Sequence, residues 1–426
     1  MAVVFRRRGR AAILGDMEWN EIAAPAPSAV QQVRVLRRWI ALYLLSAIGV
    51  AFQRTLISTE NNFLIFRAAF DHLIAARDLY AAYPATHADF FKYSPTFALL
   101  FAPFALLPLV PGYVLWAVVC ATAVCSGIAL LLPARPAAIA LAIAWLAVVG
   151  DMQRAQSNAL CAGLMLLGWA AMERGRQWPA AMAIIAGGFI KLFPVAALAG
   201  AIFHRRKVRF GIIVLAVLAL GAALPLLVVS PDSLGAQYLS WRAIETHDAA
   251  PLARYGTGGA DLYAGLMGQL RVWFGVQWPF WPTQLAGLVL LLAPLLRGPA
   301  AWTTRFRTNF LASILVFSVL FNHQAESPSY SIAMIGVAVW FATSARAWWR
   351  TVLMLLCLIV VNLASTDLLP RALYQAYYVK YLLKTIPLIP LWIVMQGELF
   401  GLIRNGAESK RGESDQGNLP ATEVLA

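Results

Sequence analysis

Residues 59–108 read TENNFLIFRAAFDHLIAARDLYAAYPATHADFFKYSPTFALLFAPFALLP, and they decide how the rest of the 426-residue chain is read. Apolar runs long enough to cross a bilayer surround this stretch. The stretch itself carries one glutamate, three aspartates, two histidines and a lysine, set among aromatics. A chain that concentrates polar chemistry directly after its first apolar run works at that place, and the remaining runs are its scaffold. Within the stretch, Phe63, Phe66, Phe70, Leu73 and Ile74 recur every three or four residues, with Arg67, Asp71 and His72 between them. That period predicts an amphipathic helix at the membrane surface, capped by Asn61 or Asn62. Pro95 to Leu107 is too short to span and predicts a second interfacial helix.

The composition places the chain in a membrane. It is 61% hydrophobic and 13% charged, with a mean hydropathy of +0.68. Soluble domains carry about 25% charged residues. The net charge of +14 could indicate nucleic acid. The Lys and Arg residues, however, stand in short links between apolar runs, which is the positive-inside pattern, so no nucleic-acid partner is expected. Cys120, Cys125, Cys161 and Cys357 lie inside apolar runs without metal-ligand spacing and are expected to be buried thiols. No metal site is expected.

A span needs about 20 apolar residues. The first is expected from Trp39 to Ile57, after an uncleaved basic arm over 1–38 that lies in the cytoplasm. Further runs are 110–132, 136–150, 159–172, 208–230, 281–296, 309–321, 329–344, 352–363 and 381–399. The run 179–203 has basic residues on both flanks and Lys191 and Pro194 at its middle. Two half-helices meeting near Lys191 would keep both flanks on one side, and such breaks are tolerated where they line a cavity. The expected architecture is all-α and polytopic, with about 11–13 membrane segments. The membrane domain covers 39–399, with large outer loops over 58–109 and 231–280. Links around Arg135, 173–176, 204–207, 297–307 and Arg346–Arg350 lie inside, and a disordered tail over 400–426 is also cytoplasmic. No internal repeat is evident.

Several motifs carry a resemblance. Asn62-Phe63 follows the first run. Asp78-Leu79-Tyr80 leads to Tyr83-Pro84. Lys92-Tyr93-Ser94-Pro95-Thr96-Phe97 runs into Pro103 and Pro108. Gln156-Ser157-Asn158 opens one run, and Lys191-Leu192-Phe193-Pro194 sits within another. In these features the chain resembles the family-87 glycosyltransferases, membrane enzymes of the GT-C type, over residues from about 40 to 400. The resemblance implies transfer of a hexose, often mannose, from a polyprenyl-phosphate sugar, with inversion, on the outer membrane face. It implies a lipid-linked or glycan acceptor, contact with membrane lipids and no cofactor beyond the donor. The family commonly has an aspartate where this chain has Asn62, and an amide cannot accept a proton from a hydroxyl.

Inverting transfer needs a base for the acceptor hydroxyl and cations for the departing phosphate. Glu60 is the first candidate base, and a solvated interfacial charge is the duller reading. Asp78 and Asp89 are the others, each equally suited to capping a turn or helix. Lys191 is the best phosphate ligand, because an ionisable residue within a span is costly; its duller reading is snorkelling. Lys92 and Arg154 are weaker cations of the kind that anchor interfaces. Asn62, Tyr93, Gln156 and Asn158 could bind sugar or phosphate, or Gln156 and Asn158 could tie spans together. His323 and Glu326 form a compact polar group facing the same space. Tyr80, Tyr83, Phe90, Phe91 and Tyr93 suit sugar stacking and an interfacial aromatic belt equally well, and the belt is the expected role. Tyr255-Gly256-Thr257-Gly258-Gly259 reads as a flexible loop.

A lipid or glycan transporter is the alternative from another class, and a carrier-binding relative without catalysis is a third. A transporter should show pseudo-symmetric halves with ionisable groups at mid-membrane, whereas the polar groups here gather in outer loops. The arginine- and alanine-rich composition leans toward a bacterial plasma membrane.

Overall fold

The computed structural model describes residues 28–57, 62–87, 89–248, 265–365 and 368–403. Glu60, most of the basic arm, the tail, Asp367 and the Tyr255–Gly259 stretch lie outside these residues. Among the described residues the chain is helical and has no strands.

In order, the helices are α1 Ala29–Ile57, α2 Asn62–Ile74, α3 Pro95–Leu100, α4 Ala102–Ala105, α5 Leu109–Leu131, α6 Ala134–Gln153, α7 Asn158–Glu173 and α8 Gln177–Ile190. They continue as α9 Lys207–Ala223, α10 Pro231–Asp248, α11 Leu266–Phe274, α12 Phe280–Leu292, α13 Thr304–Leu320, α14 Tyr330–Thr343, α15 Trp348–Cys357, α16 Arg371–Leu373 and α17 Leu388–Phe400. Each apolar run expected to cross the membrane contains a helix. The first begins at Ala29, ten residues before the expected Trp39, so Arg34, Arg37 and Arg38 ride on its first turns instead of on a loose arm.

Five helices are long and apolar enough to cross a membrane on their own: α1, α5, α6, α9 extended to Leu227, and α12 extended to Arg297. A bent pair, Arg371–Val379 with Leu383–Phe400, turns through 69° and forms a sixth candidate. The other apolar helices are shorter. They include α13, 17 residues, and α14, 14 residues, which are buried along almost their whole lengths. Helices enclosed by protein on all sides need not match the bilayer thickness, and the expected set of about 11–13 membrane segments includes such shorter runs.

The core packs α5 against α7, α13 against α14, and α1 and α14 against α6. Close approach needs small residues. A Cβ on Gly163 of α7 would stand 2.7 Å from Ala123 of α5, and one on Gly127 would stand 2.6 Å from the Leu166 side chain. All four cysteines are buried and free.

The segment 177–203 is the broken hairpin its basic flanks imply. Helix α8 ends at Lys191, whose backbone is extended (φ −143°, ψ 149°), and a 3-10 segment runs back over Phe193–Phe203 with Pro194 in its first turn. The two ends meet: the Gln177 side chain donates to the Arg206 carbonyl at 3.2 Å. Other basic links gather at this same end. Arg307 forms a bidentate pair with Glu173 (2.8 and 2.7 Å), and Arg174 donates to the Leu130 carbonyl. Arg350, expected on an inner link, lies in the first turn of α15. It is 3% exposed within α15, pairs with Glu398 of α17 and is flanked by Trp340, which also donates to Glu398. The loops expected on the other side gather at the opposite end, where Asn62 meets Arg154 and Leu79 meets Gln237.

Candidate functional site

The first loop is built to grip the tip of the 177–203 hairpin. Ser94 caps α3, accepting from the Phe97 amide at 3.1 Å, and Pro95 supplies the preset φ of a first helical position. The same Ser94 hydroxyl donates to the Phe189 carbonyl at 2.6 Å, and Thr96 donates to the Gly221 carbonyl at 2.9 Å. Tyr93 places its ring 5.8 Å from the Lys191 ammonium. Ser94 and Thr96 thus dock this segment onto two helix ends, those of α8 and α9.

Asp78 stands apart from that tip. Its carboxylate accepts from the Tyr80 amide at 3.0 Å, and its carbonyl accepts from the Tyr83 hydroxyl at 2.7 Å. This is the turn-capping role of an aspartate. The Tyr80 hydroxyl donates to the Tyr93 carbonyl at 2.8 Å, so Asp78-Leu79-Tyr80 braces the loop from behind. The aromatic belt is corrected here. Tyr80 and Phe91 are buried, and Phe91 packs against Tyr80, Tyr93 and Phe97 rather than facing lipid. Helix α2 also differs from a surface helix. Phe63 and Phe66 are fully buried against Phe101, Tyr113 and Trp116, because α3 and α4 fold over its apolar face.

Behind the hairpin tip lies a buried polar chain. Lys191 Nζ donates to Asn158 Oδ1 at 2.7 Å. Asn158 Nδ2 donates to Asp151 Oδ1 at 3.0 Å. Asp151 also accepts from the Ala159 amide, at the first turn of α7, at 2.9 Å and from the Ser331 hydroxyl at 3.2 Å. Asp151 and Asn158 are each 1% exposed. Of the two roles open to Asn158, the geometry shows the one that ties elements together: it stands behind Lys191 and faces no open space.

In front of the tip is a cavity of about 530 Å³. It brings together Asn62, Asp89, Lys92, Tyr93, Gln156, Lys191, His323 and Glu326 from the sequence-derived set. Arg154 and Asp78 do not line it; Arg154 contributes its carbonyl, which accepts from the Asn62 amide at 3.0 Å. Trp241 and Glu245 of α10 and Gln284 of α12 also line it, as residues outside that set. Asp89 and Lys92 approach to 3.9 Å, with the Asp89 side chain 64% exposed to the space. His323 Nδ1 lies 3.3 Å from Gln284 Nε2, and burial holds its imidazole below the ordinary pKa. Burial raises the Tyr93 phenol, with the Lys191 charge acting the other way, so the ring stays neutral.

Chemically, the arrangement offers an ammonium, with three N–H donors, that one hydrogen bond to Asn158 holds at the cavity. Carboxylates from three separate segments, Asp89, Glu245 and Glu326, line the same cavity. Among the described residues no three His, Cys, Asp or Glu side chains gather to hold a metal. Asp151 was the main omission of the sequence reading. Its signal was an acid in the last turn of an apolar run, facing an asparagine at the start of the next.

A family model described as Glycosyltransferase family 87 matches residues 90–322. No curated protein matches. Among solved structures, the chain is similar to ArnT from Cupriavidus metallidurans bound to undecaprenyl phosphate. The two share 14% identity over 91% of this chain and 83% of that chain, with a TM-score of 0.36.

Proposed function

The chain belongs to glycosyltransferase family 87, and from that premise we propose that it moves a hexose from a polyprenyl-phosphate donor to a glycan or lipid-linked acceptor, with inversion. The observation that carries this reading is Lys191, set at the break of a membrane hairpin, braced by Asn158 and opening on a cavity lined by carboxylates. The acceptor hydroxyl attacks the anomeric carbon, and the bond from that carbon to the phosphate oxygen breaks with its electron pair leaving on the phosphate. Lys191 meets the charge that develops there. The hydroxyl proton goes to Asp89, the one carboxylate of the first loop that the described residues place at the cavity. His323, Gln156 and Gln284 supply hydrogen bonds to sugar hydroxyls, and Tyr93 supplies a ring face. The cavity end faces the outside of a bacterial plasma membrane, with both termini in the cytoplasm.

The test is transfer from synthetic polyprenyl-phosphate mannose, and from other hexose donors, by purified protein with membrane extract as acceptor. Wild type should transfer one of these sugars. Lys191→Met should lose transfer by on the order of 100-fold or more while still folding. Donor binding without transfer of any hexose would leave a carrier-binding protein instead. Loss on Glu326→Gln with activity kept in Asp89→Asn would move the base to Glu326.

A further inference from the structure

The far end of the same hairpin holds a second cavity, of about 560 Å³, that the transfer reaction does not use. Its position follows from the fold. Helix α8 is 14 residues long, so its start lies about 20 Å from the Lys191 tip. The cavity is walled by the start of α8 on one side and the link into α9 on the other, joined by the Gln177–Arg206 hydrogen bond.

Five cationic side chains line it: Arg176, Arg205, Arg206, Lys207 and Arg209. No Asp or Glu does. The nearby Glu173 is already held by Arg307 at 2.7 Å, and among the described residues none of the five cations forms an ion pair. Basic links of this kind set membrane topology, and the hairpin, whose two ends meet, brings these two to one concave space. Lys207 and Arg209 also sit in the first turn of α9, where the helix dipole disfavours cations and favours an anion.

The surroundings are those of a lipid and not of a soluble anion. Trp178 lines the cavity and is 49% exposed, as an indole at a headgroup layer would be. From the cavity, α9 carries Val208, Ile212 and Leu215 along one face, 80%, 63% and 66% exposed. That spacing is one helical stripe, open for acyl chains along its length.

We propose that this cavity binds the phosphate headgroup of an anionic phospholipid, with its acyl chains lying along α9. The lipid bridges the two basic ends of the hairpin whose tip carries Lys191. The site stands on its own cations and lining and does not depend on the identity of the transferred sugar.

The experiment uses the full chain in detergent, with phosphatidylglycerol, phosphatidylcholine or inorganic phosphate added, read by native mass spectrometry. Wild type should retain phosphatidylglycerol as a discrete adduct, retain phosphatidylcholine much less, and hold inorganic phosphate far more weakly than the lipid. Arg205→Gln, Arg206→Gln and Arg209→Gln combined should weaken phosphatidylglycerol by on the order of 100-fold. Arg209→Gln alone should weaken it about fivefold and keeps the test open if the triple variant does not fold. Arg34→Gln, Arg37→Gln and Arg38→Gln combined remove equal charge from α1 and should leave retention unchanged. Equal loss in both triple variants, equal retention of phosphatidylcholine, or inorganic phosphate bound as tightly as the lipid would each overturn the proposal.

Discussion

Lys191 and Asn158 are joined by a hydrogen bond of 2.7 Å across 33 positions of sequence, and it fixes the direction in which the ammonium points. Replacing Asn158 with leucine leaves the lysine in place but frees it to swing. A misplacement of about 1 Å at a reacting group can cost on the order of 100-fold in rate. Asn158→Leu should therefore lower kcat by about that factor with little change in KM. Steady-state transfer kinetics check this, and an unchanged kcat would remove Asn158 from the positioning of Lys191.

Asp151 serves the fold as much as the site. Its carboxylate satisfies the buried Asn158 amide and Ala159 N–H and shares the Ser331 hydroxyl with the Pro328 carbonyl. Each donor left without a partner costs about 1–3 kcal/mol. Asp151→Leu should destabilise the protein by roughly 3 kcal/mol or more, and Asp151→Asn, which keeps one acceptor, by less. Thermal unfolding in detergent gives the order, and equal midpoints for the two variants would contradict it.

Asp78 and Asp89, the two first-loop aspartates considered as bases that the structure describes, should behave differently. Asp89 lines the cavity and Asp78 caps a turn. Asp89→Asn should reduce kcat by about 10²–10⁴ while donor binding persists. Asp78→Asn keeps an acceptor for the Tyr80 amide, so transfer should stay within about twofold. The reverse order of effects would move the base away from the cavity assigned here.

The broken hairpin was legible in the sequence because its signals are local. A lysine and a proline inside an apolar run, with basic residues on both flanks, leave few other arrangements. The basic and polar ends of the bundle were legible for the same reason, since sorting by charge survives without coordinates. Asp151 was not, because its importance lies in contacts with Asn158 and with Ser331, 180 residues further on. Glu245 and Gln284 were missed likewise: nothing near them in sequence says that α10 and α12 reach the cavity. The aromatics of the first loop misled because a belt and a folded loop have the same composition. The fold decides between them by laying α3 and α4 over α2.

His323 gives a stability effect with a definite sign. Burial lowers its folded pKa below the ordinary value of about 6.5, and its neutral ring lies between Gln284 and the Phe280 ring. The unfolded chain therefore binds this proton more readily than the folded one. The contribution is complete above about pH 6.5 and declines as pH falls toward the lowered folded pKa. The thermal midpoint should fall over that range, and His323→Gln should flatten part of the decline. His72, whose pKa burial also lowers, contributes in the same direction and accounts for part of what remains. A decline identical in wild type and His323→Gln would show that the His323 imidazole takes up its proton without cost.

Asn62 stands where the sequence resemblance implies an aspartate, and its amide donates to the Arg154 carbonyl at 3.0 Å. A carboxylate cannot make that bond and would face a carbonyl oxygen instead. Restoring the aspartate should therefore cost stability, by about 1–2 kcal/mol, without raising the transfer rate. The reasoning is geometric: the side chain that would act as base is here used to hold the turn after α6 against the start of α2. Measuring kcat and the unfolding midpoint of Asn62→Asp together separates the two roles. A rise in kcat would mean that this position belongs to the proton-accepting machinery after all, and that Asp89 shares the task in this chain for want of it.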